Sequence, residues 1–375
     1  MKRPVLLPLE VQNGALPPLK GVISMRKTIL VLFGGCSSEH SVSLQSAQAV
    51  LEHLNRDNYH PLMVGITKTG QWFCYRGPVS SIGDGNWERD WANLTPCALA
   101  PDRDRRQLLL LGDRISRISF DAAFPVLHGK NGEDGTVQGL LELAGTPVVG
   151  CGILSSALCM DKHRAHQLAS LAGVDVPRGM VFNQSAAPEE LEAAGRALGF
   201  PLFVKPVRAG SSFGIARVTQ PQQLAAAVER AFFHDREVLL EEAVPGFEVG
   251  CAVLGNPDEG ELTTGLVDEI ELSGGFFDFE EKYTLKTSAI HCPARISQPK
   301  AAELQAAAKR VYRALDCRVF ARVDFFLTPE GRVVFNEVNT IPGFTAHSRY
   351  PSMMQGIGLG FPALLDRLVE LGVGA

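Results

Sequence analysis

Short apolar runs bounded by glycine, proline or small polar residues recur along this chain, and between them apolar positions repeat every three or four residues. The first pattern predicts buried strands and the second amphipathic helices. Ile29–Phe33 is such a run, closed by Gly34-Gly35 and Ser37-Ser38, and a helical pattern follows from Val42 to Leu54. Strand, glycine turn and helix N-terminus in that order open an α/β sheet. Pro61–Ile66 reads as the next strand, Gln71–Arg106 as a turn-rich stretch, Asp121–Leu127 as a buried strand, Val137–Ala144 as a helix and Pro147–Val149 as a short strand. Ser155–Ala172 is predicted as one long helix closed by Gly173, followed by the strand Gly179–Phe182, the helix Glu189–Leu198, the strand Pro201–Val204, a Gly/Ser loop at 209–214, the helix Pro221–Phe233 and the strand Val238–Glu241. Beyond Glu248 the chain is rich in strands: Val249–Leu254, Gly265–Leu272, then a polar and aromatic loop (273–290), the helix Ala301–Leu315 and a terminal helix Pro362–Leu371. The pattern predicts a chain-terminal extension (1–24), an open parallel-sheet α/β domain (25–150), an α+β unit (151–245) and a strand-rich unit (246–375).

Most of the chemistry gathers in Val319–Tyr350. Two β-rich runs, Val319–Leu327 and Arg332–Val338, flank Thr-Pro-Glu-Gly, which places Pro329 and Gly331 at favoured positions of a type I turn. If Leu327 pairs with Arg332, Asp324 faces Phe335 and Arg322 faces Glu337. Alternation with period two then puts Arg322, Asp324, Glu337 and Asn339 on one face. Two diagonal carboxylates repel unless a cation lies between them. Hard oxygen ligands of this kind suit Mg²⁺, which takes its remaining ligands from water and phosphates. The alternative is a solvated face with an Arg–Glu pair.

Composition narrows the partners. With 375 residues, 45% of them hydrophobic, the chain can bury two or three cores. A formal net charge of −5 gives no support for nucleic acid or an anionic membrane as the main partner. The eight cysteines are scattered without a CxxC pair, and Cys151, Cys159 and Cys251 lie in apolar surroundings, which reads as buried thiols in a reducing cytoplasm. Residues 1–24 lack the apolar core of a signal peptide, no run reaches the roughly 18 apolar residues of a membrane span, and Met25 resembles a natural start.

Two further stretches carry candidate chemistry. In FVKPVRAGSSFG, Lys205 ends a strand just before the loop Gly210-Ser211-Ser212-Phe213-Gly214, whose backbone N–H groups can cradle phosphate oxygens beside a lysine point charge. No GK[ST] follows, so it is not a P-loop. Lys162 stands on the preceding helix. In EVLLEEAVPGFEVG, Glu241, Glu242 and Glu248 surround an apolar strand end, where backbone near Ala243 and Val244 could meet an adenine edge and Glu248 a ribose. Read alone, each stretch is equally a turn or a charged strand end.

Together these features resemble the ATP-grasp ligases, and more narrowly the D-alanine–D-alanine ligases, from about Lys27 to Leu371. The markers are GGCSSEHSVSL, FPVLHGKNGEDGTVQG, SSALCMDK, FPLFVKPVRAGSSFG, FFDFEEKY, ARVDFF and NEVNTIPGFTAHS. The resemblance implies a three-domain ATP-grasp fold, ATP and two Mg²⁺ (or Mn²⁺), and a homodimer. It implies that Lys162 and Lys205 contact the phosphates, that Ser211 and Ser212 close over them, that Glu241 and Val244 hold adenine, and that Glu248 holds the ribose. Asp324, Glu337 and Asn339 would bind the metal ions. Glu39 would anchor the ammonium of the first D-alanine with His128 beside its carboxylate, Arg322 and Gly343 would stabilise the acyl phosphate and the tetrahedral intermediate, and Ser348 would bind the second substrate's carboxylate. Tyr283 would bond Ser211 and Glu39, and the loop at 273–290, entered through Gly274-Gly275, would cover the site, because acyl phosphates hydrolyse.

The chain departs from the housekeeping pattern at Phe277, where tyrosine is usual, and at Arg349, where a small apolar residue is usual. That combination looks like the glycopeptide-resistance ligases that use D-serine as acceptor, the VanG-like and VanC-like group. Arg349 beside Ser348 would offer donors that read a hydroxyl and cannot read a methyl. Alternatively Arg349 points to solvent or pairs with an acid such as Asp268 without touching substrate, and D-alanine is the acceptor. Lactate-making relatives replace the loop tyrosine, whereas Glu281-Lys282-Tyr283 is retained here.

Overall fold

The computed structural model describes residues 26–210, 213–272, 288–345 and 347–374. The expectations for residues 1–24 and for Ser211, Ser212, Phe277 and Tyr283 lie outside the described residues, as does most of the 273–290 loop.

Three sheets carry the chain. The first has the order β6-β5-β4-β3-β2-β1-β7, from β1 (Lys27–Gly34), β2 (Tyr59–Ile66), β3 (Trp72–Tyr75), β4 (Leu94–Leu99), β5 (Gln107–Leu111), β6 (Ile115–Ser119) and β7 (Ala122–Val126). Only β2, β1 and β7 are parallel. The other pairings are antiparallel, so the predicted open parallel sheet is a mixed one. The turn-rich stretch hides short strands, which sequence periodicity reports poorly. Ile29–Phe33 is fully buried in β1, between α1 (His40–His53) and the helices that close the other face, beginning with α2 (Thr136–Leu143).

The predicted helix from Ser155 to Ala172 is two helices, α3 (Ile153–Met160) and α4 (Lys162–Leu171). Asp161 breaks it: its backbone is extended (φ −87°, ψ 96°) and its carboxylate accepts the Arg164 N–H at 3.0 Å. An aspartate in that role satisfies one of the unpaired donors of a helix start, and it makes Lys162 the first residue of α4.

The second sheet, β10-β9-β11-β8, is antiparallel, built from β8 (Gly179–Asn183), β9 (Leu202–Pro206), β10 (Ala216–Val218) and β11 (Glu237–Glu242) under α5 (Pro188–Leu198) and α6 (Leu224–Phe232). The third, β14-β13-β12-β15-β16, comprises β12 (Phe247–Leu254), β13 (Thr263–Leu272), β14 (Ser288–His291), β15 (Phe320–Leu327) and β16 (Val333–Asn339). The end of the predicted 273–290 loop is therefore strand β14, paired with β13. Helix α7 (Gln298–Ala314) covers one face of this sheet, and α8 (Arg349–Gln355) and α9 (Phe361–Gly374) lie on the other. Phe124 of β7 meets Phe320 and Phe344 edge-on at 6.3 and 6.2 Å, and Phe344 in turn stacks on Tyr350 at 5.7 Å, so one apolar core joins the first sheet to the third.

The hairpin register differs from the expected one. Leu327 pairs with Val333, and a bulge at Asn336 shifts the ladder again, so Asp324 faces Glu337 and Arg322 faces Asn339. The first slip arises at the turn, where Gly331 adopts φ +83°, its N–H donates to the Thr328 carbonyl at 2.9 Å, and the Arg332 carbonyl accepts the Thr328 N–H at 3.0 Å. The two slips sum to two residues, and a shift of two returns every side chain to its own face. The four polar residues therefore share a face as expected, but the carboxylates are directly opposed rather than diagonal.

Candidate active site

Two buried lysines mark one end of the site. Lys205, in β9, is paired through Nζ with Oε1 of Glu241 on β11. Lys162, at the start of α4, donates from Nζ to the Ala209 carbonyl at 2.6 Å, at the root of the Gly/Ser loop. Arg208 anchors the same root to Asp161 (3.3 Å) and Asp235 (2.9 Å). Glu241 Oε2 is buried and has no hydrogen-bond partner among the described residues. An unsatisfied buried acceptor is costly. With the Lys205 ammonium beside it, it fits a ligand that carries both an amino donor and phosphates, as adenine nucleotides do.

Asp324 is fully buried and holds four donors: Arg322 Nε (2.8 Å) and Nη2 (2.7 Å), Asn339 Nδ2 (2.9 Å) and Arg349 Nη2 (3.3 Å). Burial disfavours the charge of both arginines, but the facing carboxylates outweigh it and hold each guanidinium protonated. Among the described residues no three His, Cys, Asp or Glu side chains form a group that could hold a metal. The donor set of Asp324, Glu337 and Asn339 is nevertheless made of hard oxygens, which fits a cation that completes its shell with water and phosphate.

At the other end Glu39 caps the start of α1, with its carboxylate against two glycines: a Cβ on Gly129 would lie 2.5 Å from Oε2 and one on Gly210 3.2 Å. Small residues here leave room for the acid and for whatever it binds. His128 is buried, with Nε2 3.2 Å from Ser46 Oγ, which in turn accepts the Phe344 N–H at 3.2 Å. Burial pushes the His128 pKa down, Glu39 opposes this and Arg322 adds to it, so the ring is neutral near pH 7. Glu133, from the same Gly-rich turn, accepts Gly129 N–H at 2.7 Å and Ile341 N–H at 3.3 Å, tying the first sheet's loop to the segment after β16. Burial, then the charge of Glu39, push its pKa up to about 8.

Ser348 caps α8, and its hydroxyl accepts the Thr345 N–H at 2.9 Å. A Cβ on Gly343 would lie 3.1 Å from Ser348 Oγ. Arg349 follows, and its fork takes Asp268 of β13 through Nε and Nη2, both at 2.7 Å, and Glu248 through Nη1 at 3.4 Å. The guanidinium lies over Gly250 of β12: a side chain there would collide with Nη2 and come within 2.7 Å of Asp324 and 2.8 Å of Asp268.

A cleft of about 300 Å³ is lined by Glu39, His128, Lys162, Arg322, Glu337, Asn339, Gly343, Ser348 and Arg349, and also by Glu133. Nine of the expected residues thus converge on one cavity. Asp324 lies beneath its floor, while Lys205, Glu241, Val244 and Glu248 are not among its lining residues. Sequence reasoning missed Glu133, and it met Asp268 only as a possible partner of Arg349. The available signal for Asp268 was an acid inside an apolar strand, which demands a buried cation.

Residues 28–151 match the family described as D-ala D-ala ligase N-terminus, and residues 168–370 the family described as D-ala D-ala ligase C-terminus. The vancomycin B-type resistance protein VanB of Enterococcus faecalis is 44% identical, covering 92% of this chain and 98% of that protein. A putative D-alanine–D-lactate ligase of Streptomyces coelicolor is 45% identical over 93% of this chain and 98% of its own length. Among solved structures, the VanG D-Ala:D-Ser ligase of Enterococcus faecalis superposes with a TM-score of 0.86 at 55% identity, covering 92% of this chain and 99% of that one. The D-alanine–D-alanine ligase of Coxiella burnetii gives 0.82 at 32% identity, over 93% and 94%.

Proposed function

Because this chain belongs to the D-alanine–D-alanine ligase family, we propose that it spends ATP to join D-alanine to a second D-amino acid, with D-serine the favoured acceptor, in making a peptidoglycan precursor of the vancomycin-resistance type. The observation that carries the acceptor choice is Arg349: it lines the cleft directly after Ser348 and is held by the buried fork to Asp268. Its donors are thereby preorganised at the acceptor end, and the likeness to a D-Ala:D-Ser ligase at 55% identity supports the same reading.

A carboxylate is a poor acyl donor, so a carboxylate oxygen of the first D-alanine attacks the γ-phosphorus of ATP and ADP leaves, giving an acyl phosphate. The second amino acid's amine attacks that carbonyl, and inorganic phosphate leaves. Lys162 and Lys205 offset phosphate charge, and Arg322 offsets the charge that develops on the transferring group and on the tetrahedral centre, with Gly343 N–H beside it. Asp324, Glu337 and Asn339 would hold divalent cations, two Mg²⁺ or Mn²⁺, which would supply further charge neutralisation. Glu39 holds the donor's ammonium. Neutral His128 positions the donor carboxylate by hydrogen bonding and is a poor general base. Glu241 and the backbone at Val244 hold the adenine, Glu248 the ribose, and Ser348 the acceptor's carboxylate. Ser211, Ser212 and Tyr283 belong to the same reading as covers of the phosphates and of the intermediate, and Phe277 as a second acceptor reader.

The three sheets are read as three domains, 25–150, 151–245 and 246–375, with the nucleotide between the second and third. Among the described residues no helix is long and apolar enough to cross a membrane, and an ATP-consuming precursor ligase belongs in the cytoplasm. A homodimer is part of the proposal: α2 and α3 leave Leu143 and Leu154 largely exposed, apolar surface of the kind a second copy covers.

A second reading, a housekeeping D-alanine–D-alanine ligase, draws on the same arginine, since a guanidinium committed to three carboxylates can be structural. The test is a product assay at neutral pH with ATP, Mg²⁺, D-alanine and equal D-serine and D-lactate. A majority of D-Ala–D-Ser is expected. A majority of D-Ala–D-Ala or of the lactate ester overturns the acceptor assignment, and phosphate release without D-alanine dependence overturns the ligase reading itself.

A further inference from the structure

The bulge that brings Asp324 and Glu337 face to face is held from outside the sheet. Phe325 pairs with Phe335, but the next pair is Asp324 with Glu337, so Asn336 is the extra residue. A bulged residue is left out of the strand ladder, and a one-residue slip here would turn Glu337 to the opposite face. The Asn336 carbonyl is met by His166 of α4, whose Nε2 lies 2.8 Å away. The same ring packs edge-on against Phe335 with centroids 5.5 Å apart, and its Nδ1 lies 3.7 Å from Glu241 Oε2. His166 is buried and stands one helical turn after Lys162, on the same face of α4. Burial, the largest influence, pushes its pKa down and so favours a neutral ring, and because the Asn336 carbonyl can only accept, Nε2 is the donor.

We propose that His166 is a positioning residue for the metal end of the site: it pins the bulge at Asn336, keeps Glu337 opposite Asp324, and ties that register to the phosphate-binding end of α4. The proposal rests on the nucleotide and metal reading given above, and goes beyond it by assigning the groups that set the ligand geometry to a helix of another layer.

The test uses the full chain and reads binding rather than turnover. Mn²⁺ affinity in the presence of saturating ADP is measured by electron paramagnetic resonance for wild type, His166→Ala, His166→Gln and His166→Asn, with ADP affinity measured separately without metal. Glutamine can extend its carboxamide donor to where Nε2 stands, whereas asparagine reaches only the Nδ1 position. Residues that orient metal ligands typically change metal affinity by about 10–100-fold when lost. The expected result is a weakening of about tenfold for the alanine and asparagine variants and near wild-type affinity for glutamine, with the acceptor product ratio unchanged in all. Equal Mn²⁺ affinity in folded wild type and His166→Ala overturns the proposal. So does an equal loss in metal-free ADP affinity, which would route the effect through Glu241. Should the alanine variant not fold, the glutamine–asparagine contrast decides alone: equal affinities in those two overturn it. Failure of wild type itself to bind Mn²⁺ with ADP would instead sink the metal reading.

Discussion

Arg349 allows the acceptor assignment to be separated from plain stability. Its guanidinium meets Asp268 at 2.7 Å, Asp324 at 3.3 Å and Glu248 at 3.4 Å, and the two aspartates are fully buried. Arg349→Leu removes the guanidinium that Asp268 binds bidentately and leaves its charge buried, a loss worth about 3–5 kcal/mol when one member of a buried pair is removed. Asp268→Asn in the same chain removes that charge and keeps an oxygen for the Gly250 N–H, which Asp268 accepts at 3.0 Å. The double variant should therefore recover most of the stability lost in Arg349→Leu, read as the midpoint and slope of urea unfolding.

Acceptor choice should not recover with it. A hydrogen bond from a charged donor to the acceptor's hydroxyl is worth about 1.5–3 kcal/mol, roughly a 10- to 140-fold change in preference. With D-alanine and D-serine in competition, product analysis should show the ratio of D-Ala–D-Ser to D-Ala–D-Ala falling by that factor in Arg349→Leu and staying low in the double variant. A stable double variant with the wild-type product ratio would refute the reading of Arg349 as an acceptor contact. Equal stability of the single and double variants would refute the account of the buried network.

Two other substitutions test neighbouring parts of the site. Glu133 has a folded-state pKa pushed up to about 8, so its neutral form favours the fold; in ligand-free protein this contribution is complete below the ordinary carboxyl range and is lost as pH rises through about 8. Glu133→Gln should flatten the decline in unfolding free energy between pH 5 and 9, measured by urea titration at each pH, and an unchanged slope would count against a protonated Glu133. Gly250→Ala places a methyl group against Arg349 and Asp324. It should cost about 1–3 kcal/mol, as overpacking does, and lower ligase turnover as well; a wild-type melting temperature would mean that the guanidinium can move aside without penalty.

The motif blocks made the site legible because its chemistry needs particular residue types at fixed places: an acid at a helix start for Glu39, lysines beside a Gly/Ser loop, alternating acids on a hairpin. The parts that were not legible depend on conformations that many residues adopt. Asn336 looks like any other strand residue, yet it carries the bulge. Asp161 interrupts a periodic apolar pattern with one extended residue, and its capping role is visible in retrospect from the acid just before Lys162. Strands β3 and β4 escaped notice in a stretch read as turns, and β5 and β6 in the unassigned residues that follow it. The Arg349–Asp268 pair joins residues 81 positions apart, and nothing local selects Asp268 over Glu269 or Glu271 on the same strand; alternation alone sends Asp268 inward and its neighbour Glu269 outward to Arg295.

The charge arrangement also bears on why such a network exists. Asp324 receives Arg322 from its own strand and Arg349 from α8, while Arg349 reaches Asp268 and Glu248 on β13 and β12. As a device for stability this is poor, because replacing buried ion pairs by apolar side chains of similar volume is often neutral or favourable. Its value lies in geometry: guanidinium forks that bind carboxylates bidentately fix direction as well as distance. Three strands and a helix are thereby locked to one guanidinium, so the proposed acceptor end at Ser348 and Arg349 cannot shift without disturbing Asp324, which stands opposite Glu337. A site that must hold an acyl group, an amine and a phosphoryl group in line gains from such locking, and an apolar core of equal stability would not supply it.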